Sequence, residues 1–233
     1  MALADLRKTT LEIVNEVQRR LGIPITSTLT ASKHATMLLG LLNQVIDEIA
    51  DGGDWMELFA ETTVLASSSV GTYSVNPSNG NIVKNLYEVS FHTDVSPMEV
   101  REIQEIRRLQ RTAGHGKPRQ LAVVGVDNAT GNPRFRTYPV PGSAQNNQEF
   151  KVAYFRKPPI LSTNDASDEP PFPAQLLIQG LYSKALLEEN GGEPTDQFRM
   201  ALAEFERMKQ EALNRYTADT GTDLYIVPMT GRW

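Results

Sequence analysis

The chain has 233 residues, 40% of them hydrophobic, and a formal net charge of −5 at pH 7. That length allows one or two domains with a buried core. The chain contains no cysteine, which excludes disulfides and sulfur-ligated zinc, and its acidic balance argues against a dedicated nucleic-acid-binding protein. No run of about 18 apolar residues occurs, so we expect neither a membrane span nor a membrane partner.

Two amphipathic helices are predicted in residues 1–54. The first covers residues 4–21, with Ile13 and Val17 on its apolar face. The second covers residues 32–50, where leucine, isoleucine and valine recur at the spacing of one helical face. We expect both helices to join a helical bundle.

Residues 55–160 are rich in β-branched and aromatic residues, in short runs separated by Ser, Gly and Asn. This pattern predicts a small antiparallel β domain. One helix is predicted within it, over residues 96–113. Ser96 would be its N-cap, Pro97 its first residue, and Glu99 the partner of Ser96 in a capping box.

Two further helices are predicted in residues 161–217. The helix over residues 172–190 is apolar on most sides, which is typical of a central helix. The helix over residues 195–216 carries Phe198, Leu202 and Phe205 on one face. The fold class is therefore predicted to be α+β, a helical bundle with an inserted antiparallel β domain and an extended C-terminal arm over residues 218–233.

Motifs of catalysis are missing from the sequence. The three histidines, His34, His92 and His115, form no metal-binding pair, and no nucleophile elbow occurs. The stretch "GHGKPR", which ends at Arg119, lacks the Ser or Thr that follows the lysine of a phosphate-binding loop. We therefore expect no enzymatic activity, no cofactor and no metal.

A basic cluster stands out around the end of the helix predicted over residues 96–113. It consists of Arg107, Arg108, Arg111, His115, Lys117 and Arg119. Cations are favourable at a helix C-terminus, so a solvated helix end is one interpretation. The other is a contact with phosphate or with an acidic partner surface. Residues 107–119 contain no aromatic side chain for base stacking, but a nucleic-acid-binding regulator that uses them stays open as the alternative function.

Two stretches carry a resemblance to a known family. "FRTYPVPGSAQNNQEFKVAYFRKPPIL" joins a strand ending at Tyr138 to a second strand through a polar turn, and "FPAQLLIQGLYSKALLEENGG" opens a long helix at Phe172. With the N-terminal helices and the "DWMEL" transition, they resemble the head-to-tail adaptor proteins of tailed bacteriophages. That family includes the tail tubular protein A of short-tailed phages.

The resemblance implies a structural protein without enzymatic activity. It implies a ring of about twelve copies, in which each copy contacts the next through a heterologous interface. The partners implied are the portal protein, a tail nozzle or tail tube protein, and double-stranded DNA that passes through the lumen without specific binding. The expected location is the neck or tail of the virion, after assembly in the host cytoplasm. The apolar residues 172–187 would provide subunit contacts as well as core.

The C-terminal residues "DLYIVPMTGRW" are predicted to form a portal-docking arm. The side chains expected to dock are Leu224, Tyr225, Ile226, Val227, Met229, Arg232 and Trp233. Burying the six apolar ones contributes roughly 12 kcal/mol, which ordering about ten residues nearly cancels. A ring of arms would bind more tightly, because each docked arm raises the effective concentration of the others. The alternative is an arm that folds onto its own bundle or a ring neighbour.

Two polar hairpin tips are candidates for contacts on the tail side. One tip surrounds Gly131, and the other contains Gln145, Asn146 and Asn147. Gly and Asn favour tight turns, so plain solvent exposure is the alternative interpretation.

Overall fold

The computed structural model describes residues 7–112 and 114–219, with only the backbone described for residues 216–219. These residues fall into two compact units, a helical unit (residues 7–57 and 158–219) and a β unit (residues 58–157). The described helices are α1 (Thr10–Arg20), α2 (Lys33–Asp51), α3 (Ile103–Gln110), α4 (Ala174–Glu189) and α5 (Asp196–Asp219), with only α3 in the β unit. The predicted α+β fold class is confirmed.

Helix α1 begins later than the sequence pattern indicated. Its N-cap is Thr9, whose side chain accepts from the Glu12 amide at 3.3 Å, while the Glu12 carboxylate accepts from the Thr9 amide at 2.8 Å. This capping box fixes the helix start at Thr10, so the predicted start at residue 4 is wrong. Ser32 caps α2 as expected, with its side chain accepting from the Ala35 amide at 3.0 Å.

Helix α4 is the central helix of the helical unit, because it contacts α1, α2 and α5. Its buried apolar side chains are Ala174, Leu176, Leu177, Ile178, Leu181, Ala185 and Leu186. Gly180 lies where three helices meet: a Cβ there would stand 2.7 Å from atoms of Val45 and Phe205. These side chains are covered within one chain. The buried ones are therefore core, and the expectation that residues 172–187 also form subunit contacts stays a prediction.

Helix α5 packs on α4 through Ala201 and Phe205, which are both buried. Leu202, predicted on the same face as Phe205, is 36% exposed, and Met200 is 75% exposed. Ala201, rather than the predicted Leu202, therefore shares the buried face of α5 with Phe205.

The strands all lie in the β unit. They are β1 (Phe59–Leu65), β2 (Thr72–Ser74), β3 (Val83–Phe91), β4 (Glu99–Val100), β5 (His115–Gly116), β6 (Gln120–Val126), β7 (Pro133–Tyr138), β8 (Val140–Pro141) and β9 (Glu149–Arg156). Among the described residues the sheet orders are β1-β9-β3, β2-β7-β6-β4 and β5-β8. The pairs β1–β9, β3–β9, β2–β7 and β6–β7 are antiparallel, as the sequence predicted. Only the two-residue pairs β4–β6 and β5–β8, among the described residues, are parallel.

Aromatic side chains from the two larger sheets form the core of the β unit. The Phe150 ring lies 4.8 Å from that of Tyr73, 4.9 Å from that of Phe91 and 5.4 Å from that of Phe135. All four are buried. Edge-on and tilted arrangements such as these add to the free energy of burial.

The segment predicted as a helix over residues 96–113 is mostly not helical. Met98 is buried and donates its amide hydrogen to the Val89 carbonyl oxygen, and the next residues form β4, paired with β6. Helix α3 starts only at Ile103. Pairing with distant strands has overridden the local capping pattern at Ser96.

Candidate interaction surfaces

Helix α3 places three arginines of the predicted basic cluster on its solvent side. Ile106 is buried, and the Gln110 side chain donates to the Thr137 carbonyl oxygen at 2.8 Å, so this side of α3 faces the sheet. Arg107, Arg108 and Arg111 are exposed, and none has an ion pair among the described residues. We call these three residues the α3 arginine face.

The remaining cations of the predicted cluster lie apart from α3. Lys117 forms an ion pair with Asp94, and Arg119 immediately precedes β6. Arg101, just before α3, is paired with Glu99 at 2.5 Å and with Glu105 at 3.4 Å. The structure therefore leaves Arg107, Arg108 and Arg111 together at α3 and separates them from Lys117 and Arg119.

The hairpin tip at Gly131 is held by a polar network. Gly131 has a φ of +71°, a backbone conformation that favours glycine. The Asn132 side chain accepts from the Val83 amide at 2.8 Å, and Asp127 accepts from the Ser74 hydroxyl at 2.8 Å. The hydrogen bond from Ser74, and after it the bond from the Ala129 backbone amide, hold the pKa of the Asp127 carboxyl below its ordinary value.

The second tip, residues 143–147, packs against the loop after β1. The Asn146 side chain accepts from the Ser68 amide at 3.0 Å, and the Asn147 amide donates to the Ala66 carbonyl oxygen at 2.8 Å. Gln145 accepts from the Gly142 amide at 3.2 Å, which closes the turn. Asn146 and Asn147 are exposed.

These two tips lie at opposite ends of the β7 strand. Gly131 precedes the strand at the Pro133 end, where β2 pairs Ser74 with Arg134. The other tip follows Tyr138, where the Ser69 amide donates to the Pro141 carbonyl oxygen. The structure therefore does not bring together Gly131 and Gln145 as parts of one tail-facing surface.

No group of three or more metal-ligating side chains occurs in residues 7–112 and 114–219. His34 is exposed on α2, His92 follows β3, and His115 lies in β5. In the same part of the chain no helix is long and apolar enough to cross a membrane. The predicted portal-docking side chains, from Leu224 to Trp233, lie outside the described residues.

Sequence reasoning missed the distribution of charge between the two units. Over residues 58–157 the chain has 12 Lys and Arg against eight Asp and Glu, a formal charge of +4. Over residues 7–57 and 158–219 it has 10 against 18, a formal charge of −8. Counting charges separately for each predicted domain would have revealed this asymmetry.

An acidic turn between α4 and α5 was also missed, because charges were not counted separately along the helical unit. It consists of four exposed carboxylates, Glu188, Glu189, Glu193 and Asp196. Asp196 lies 3.5 Å from Arg199, and the other three have no ion pair among the described residues. The last turn of α4 contains no basic residue.

A comparison with protein families identifies the chain. No curated protein matches it. The model of the SU10 adaptor protein family, however, matches residues 8–232, which include both units and nearly all of the C-terminal segment. The chain therefore belongs to the SU10 adaptor protein family, a family of phage adaptor proteins, which indicates a structural role in the virion.

Proposed function

We propose that the chain is the head-to-tail adaptor of a tailed phage, similar in role to the tail tubular protein A of short-tailed phages. About twelve copies form a ring between the portal protein and the tail nozzle or tail tube protein. Double-stranded DNA passes through the lumen without specific binding, and the protein has no enzymatic activity.

The observation that carries this proposal is the family match over residues 8–232. The packing of helices from both ends of the chain around α4 supports a bundle with an inserted β domain. The formal charge of −5 is in keeping with a lumen that does not retain DNA, because each phosphate contact by a cation adds affinity.

Assembly with the portal protein tests the proposal. Mass photometry and negative-stain imaging of the purified chain should show a monomer alone and a closed ring after portal is added, because the portal fixes the curvature. A stable free dimer with closed twofold symmetry, or no ring on the portal, would overturn it.

In this proposal the C-terminal segment docks on the portal. Deleting residues 222–233 should leave the melting temperature of the free chain unchanged and abolish assembly. Trp233→Ala alone should weaken docking by roughly 2 kcal/mol per copy, the effect expected of an interface anchor. Strong hydrogen-exchange protection of residues 224–227 in the free monomer would instead place the segment on its own chain.

The tail contact is proposed for only one hairpin tip, because the two tips lie at opposite ends of β7. Replacing Gln145, Asn146 and Asn147 with alanine should leave ring formation intact and impair tail attachment. Asn128→Ala, in the turn at the other end, serves as the control. Normal tail attachment of the triple variant would contradict this assignment.

A second candidate function, a nucleic-acid-binding regulator, is favoured by the α3 arginine face, whose arginines have no ion pair within residues 7–112 and 114–219. It predicts an affinity of the isolated chain for duplex DNA that falls steeply as salt rises. The adaptor function predicts weak or absent binding in the same titration.

A further inference from the structure

The α3 arginine face is a charged surface without a described partner. Arg107 and Arg111 are one helical turn apart, and Arg108 lies beside them on the side away from the sheet. Guanidinium groups bind carboxylates through two parallel hydrogen bonds, and arginine is enriched at protein interfaces. A surface that offers several carboxylates at short spacing would therefore suit this face.

The acidic turn is a surface of that kind, and it is locally unfavourable. A helix C-terminus carries partial negative charge, yet Glu188 and Glu189 lie in the last turn of α4, which contains no basic residue. The carboxylates of α5 differ in this respect: Glu204 and Glu211 pair with Arg207, and Glu206 pairs with Lys209.

We propose that the α3 arginine face of one copy binds the acidic turn of the next copy. The contact joins two different surfaces, which is the heterologous arrangement that a closed ring requires. The inference rests on the ring of the proposed function and names one of its contacts. Because the +4 and −8 units belong to the same chain, every copy carries both complementary surfaces.

The surroundings of α3 favour a protein partner over nucleic acid. Three carboxylates lie close to the arginines. Glu102 is the N-cap of α3, Glu105 lies in its first turn, and Glu99 lies in β4 just before the helix. Mixed charges of this kind are usual at protein interfaces and fix their register. Residues 107–119 also contain no aromatic side chain on which a base could stack.

Cysteine pairs test the contact directly, because the chain has no cysteine of its own. Copies carrying Arg108→Cys are mixed with copies carrying Glu189→Cys and assembled on the portal under mild oxidation. Cross-linked mixed dimers are expected, whereas Lys151→Cys mixed with Glu189→Cys should give none. Self-cross-linking of Arg108→Cys, or rings without the mixed product, would overturn the inference.

Charge reversal supplies a second test. Arg107→Glu with Arg111→Glu should lower the fraction of chains in rings by about tenfold, since each reversal replaces attraction with repulsion. Arg134→Glu with Lys151→Glu makes the same change of net charge on exposed residues of the β unit and should have no such effect. Combining the first pair with Glu188→Arg and Glu189→Arg should restore ring formation.

The acidic-turn variants also separate assembly from folding. Alone, Glu188→Arg with Glu189→Arg should raise the melting temperature of the free chain by about 2 to 4 °C, because cations are favourable at a helix C-terminus. The same variant should lose ring formation.

If no ring forms on the portal with the unaltered chain, the proposed function fails. If rings form and both charge-reversed pairs assemble normally, only this inference fails. Loss of salt-dependent DNA binding in the arginine variant, with rings intact, would also overturn it in favour of a nucleic-acid partner.

Discussion

The helical unit and the β unit differ both in how their cores are built and in the charge that their surfaces carry. The helical core is mostly aliphatic, with Trp55, Phe172 and Phe205 as its buried aromatic residues, and it surrounds one central helix, α4, which contacts three other helices. The β core consists of aromatic rings from two sheets, with Phe150 at its centre. Each core is complete within its own unit, so each unit has the means to fold as a separate body.

The two units also carry formal charges of opposite sign. A total of −5 describes neither unit, because +4 on the β unit offsets part of the −8 on the helical unit. Segregated charge of this kind directs which surfaces meet during assembly, since like charges repel and opposite charges attract. The predictions below test whether the two units are as independent as their cores suggest.

Phe150→Ala should have the largest effect on stability. Removing a buried phenylalanine typically costs about 3 to 5 kcal/mol, and Phe150 contacts three other rings. If the units fold separately, urea unfolding followed by near-UV circular dichroism should shift to lower denaturant. The helical signal at 222 nm should shift much less. Equal shifts of both signals would mean that the chain unfolds as one cooperative unit.

Asn132→Ala should have the next largest effect on stability, because the buried Asn132 side chain joins the β6–β7 turn to β3. The Asn132 side chain accepts from the Val83 amide at 2.8 Å, and removing it leaves that amide buried without an acceptor. The expected loss of unfolding free energy is about 1 to 3 kcal/mol. Asn128→Ala, at an exposed residue of the same turn, should change it by less than about 0.5 kcal/mol. Equal losses would show that turn geometry, rather than the Asn132 bond, stabilises the hairpin.

The sequence predicted the helical unit better than the β unit. Helix α2 has a strong local signal, a Ser32 cap followed by a long apolar period, and α4 has its uniform apolarity. The start of α1 was also readable: Thr9 and Glu12 form a capping box that the prediction overlooked. Apolar periodicity and helix caps depend on residues close together in sequence, so helices that rely on them can be predicted from the sequence.

The β unit depends on contacts between residues far apart in sequence. The Ser96 capping pattern was misleading because Met98 is buried and Glu99 pairs with Gln120 in a parallel ladder. Nothing near Ser96 encodes that pairing. Of the candidate surfaces, the three arginines on α3 were predicted as a basic cluster, but their separation from Lys117 and Arg119 follows from the sheet alone.

Gly180→Ala tests the packing around α4, with Gly40→Ala as a control of opposite sign. A methyl group at position 180 would meet side-chain atoms of Val45 and Phe205 at 2.7 Å, so these side chains or the helices that carry them must shift. We expect a net loss of about 1 to 2 kcal/mol, because overpacking outweighs the better helix propensity of alanine. Gly40 is exposed on α2 with open space around it, so alanine there should add about 0.5 to 1 kcal/mol. Stabilisation by both variants would show that the helices adjust freely around α4.

Glu48→Gln should have the smallest effect, and only near neutral pH. The Glu48 carboxylate accepts from Lys184 at 2.8 Å and from Lys209 at 3.4 Å, which links α2 to α4 and α5. Burial raises the pKa of Glu48, but the hydrogen bonds and charges of the two lysines outweigh it, so the pKa lies below its ordinary value. The resulting stabilisation is present above the unfolded-state pKa of about 4.3 and is lost as the pH falls through the lower folded-state value.

At pH 7 the Glu48→Gln variant should therefore unfold with about 0.5 to 1 kcal/mol less free energy, a small loss because a third of the Glu48 side chain is exposed to screening solvent. In urea unfolding at about pH 3 the two chains should converge, since the native carboxyl is then increasingly protonated. Asp47→Asn, at the exposed residue that precedes Glu48 on α2, should have no effect at either pH. If the loss of unfolding free energy persists at acid pH, Glu48 stabilises the helical unit through packing. Its negative charge would then contribute nothing to joining α2 to α4 and α5.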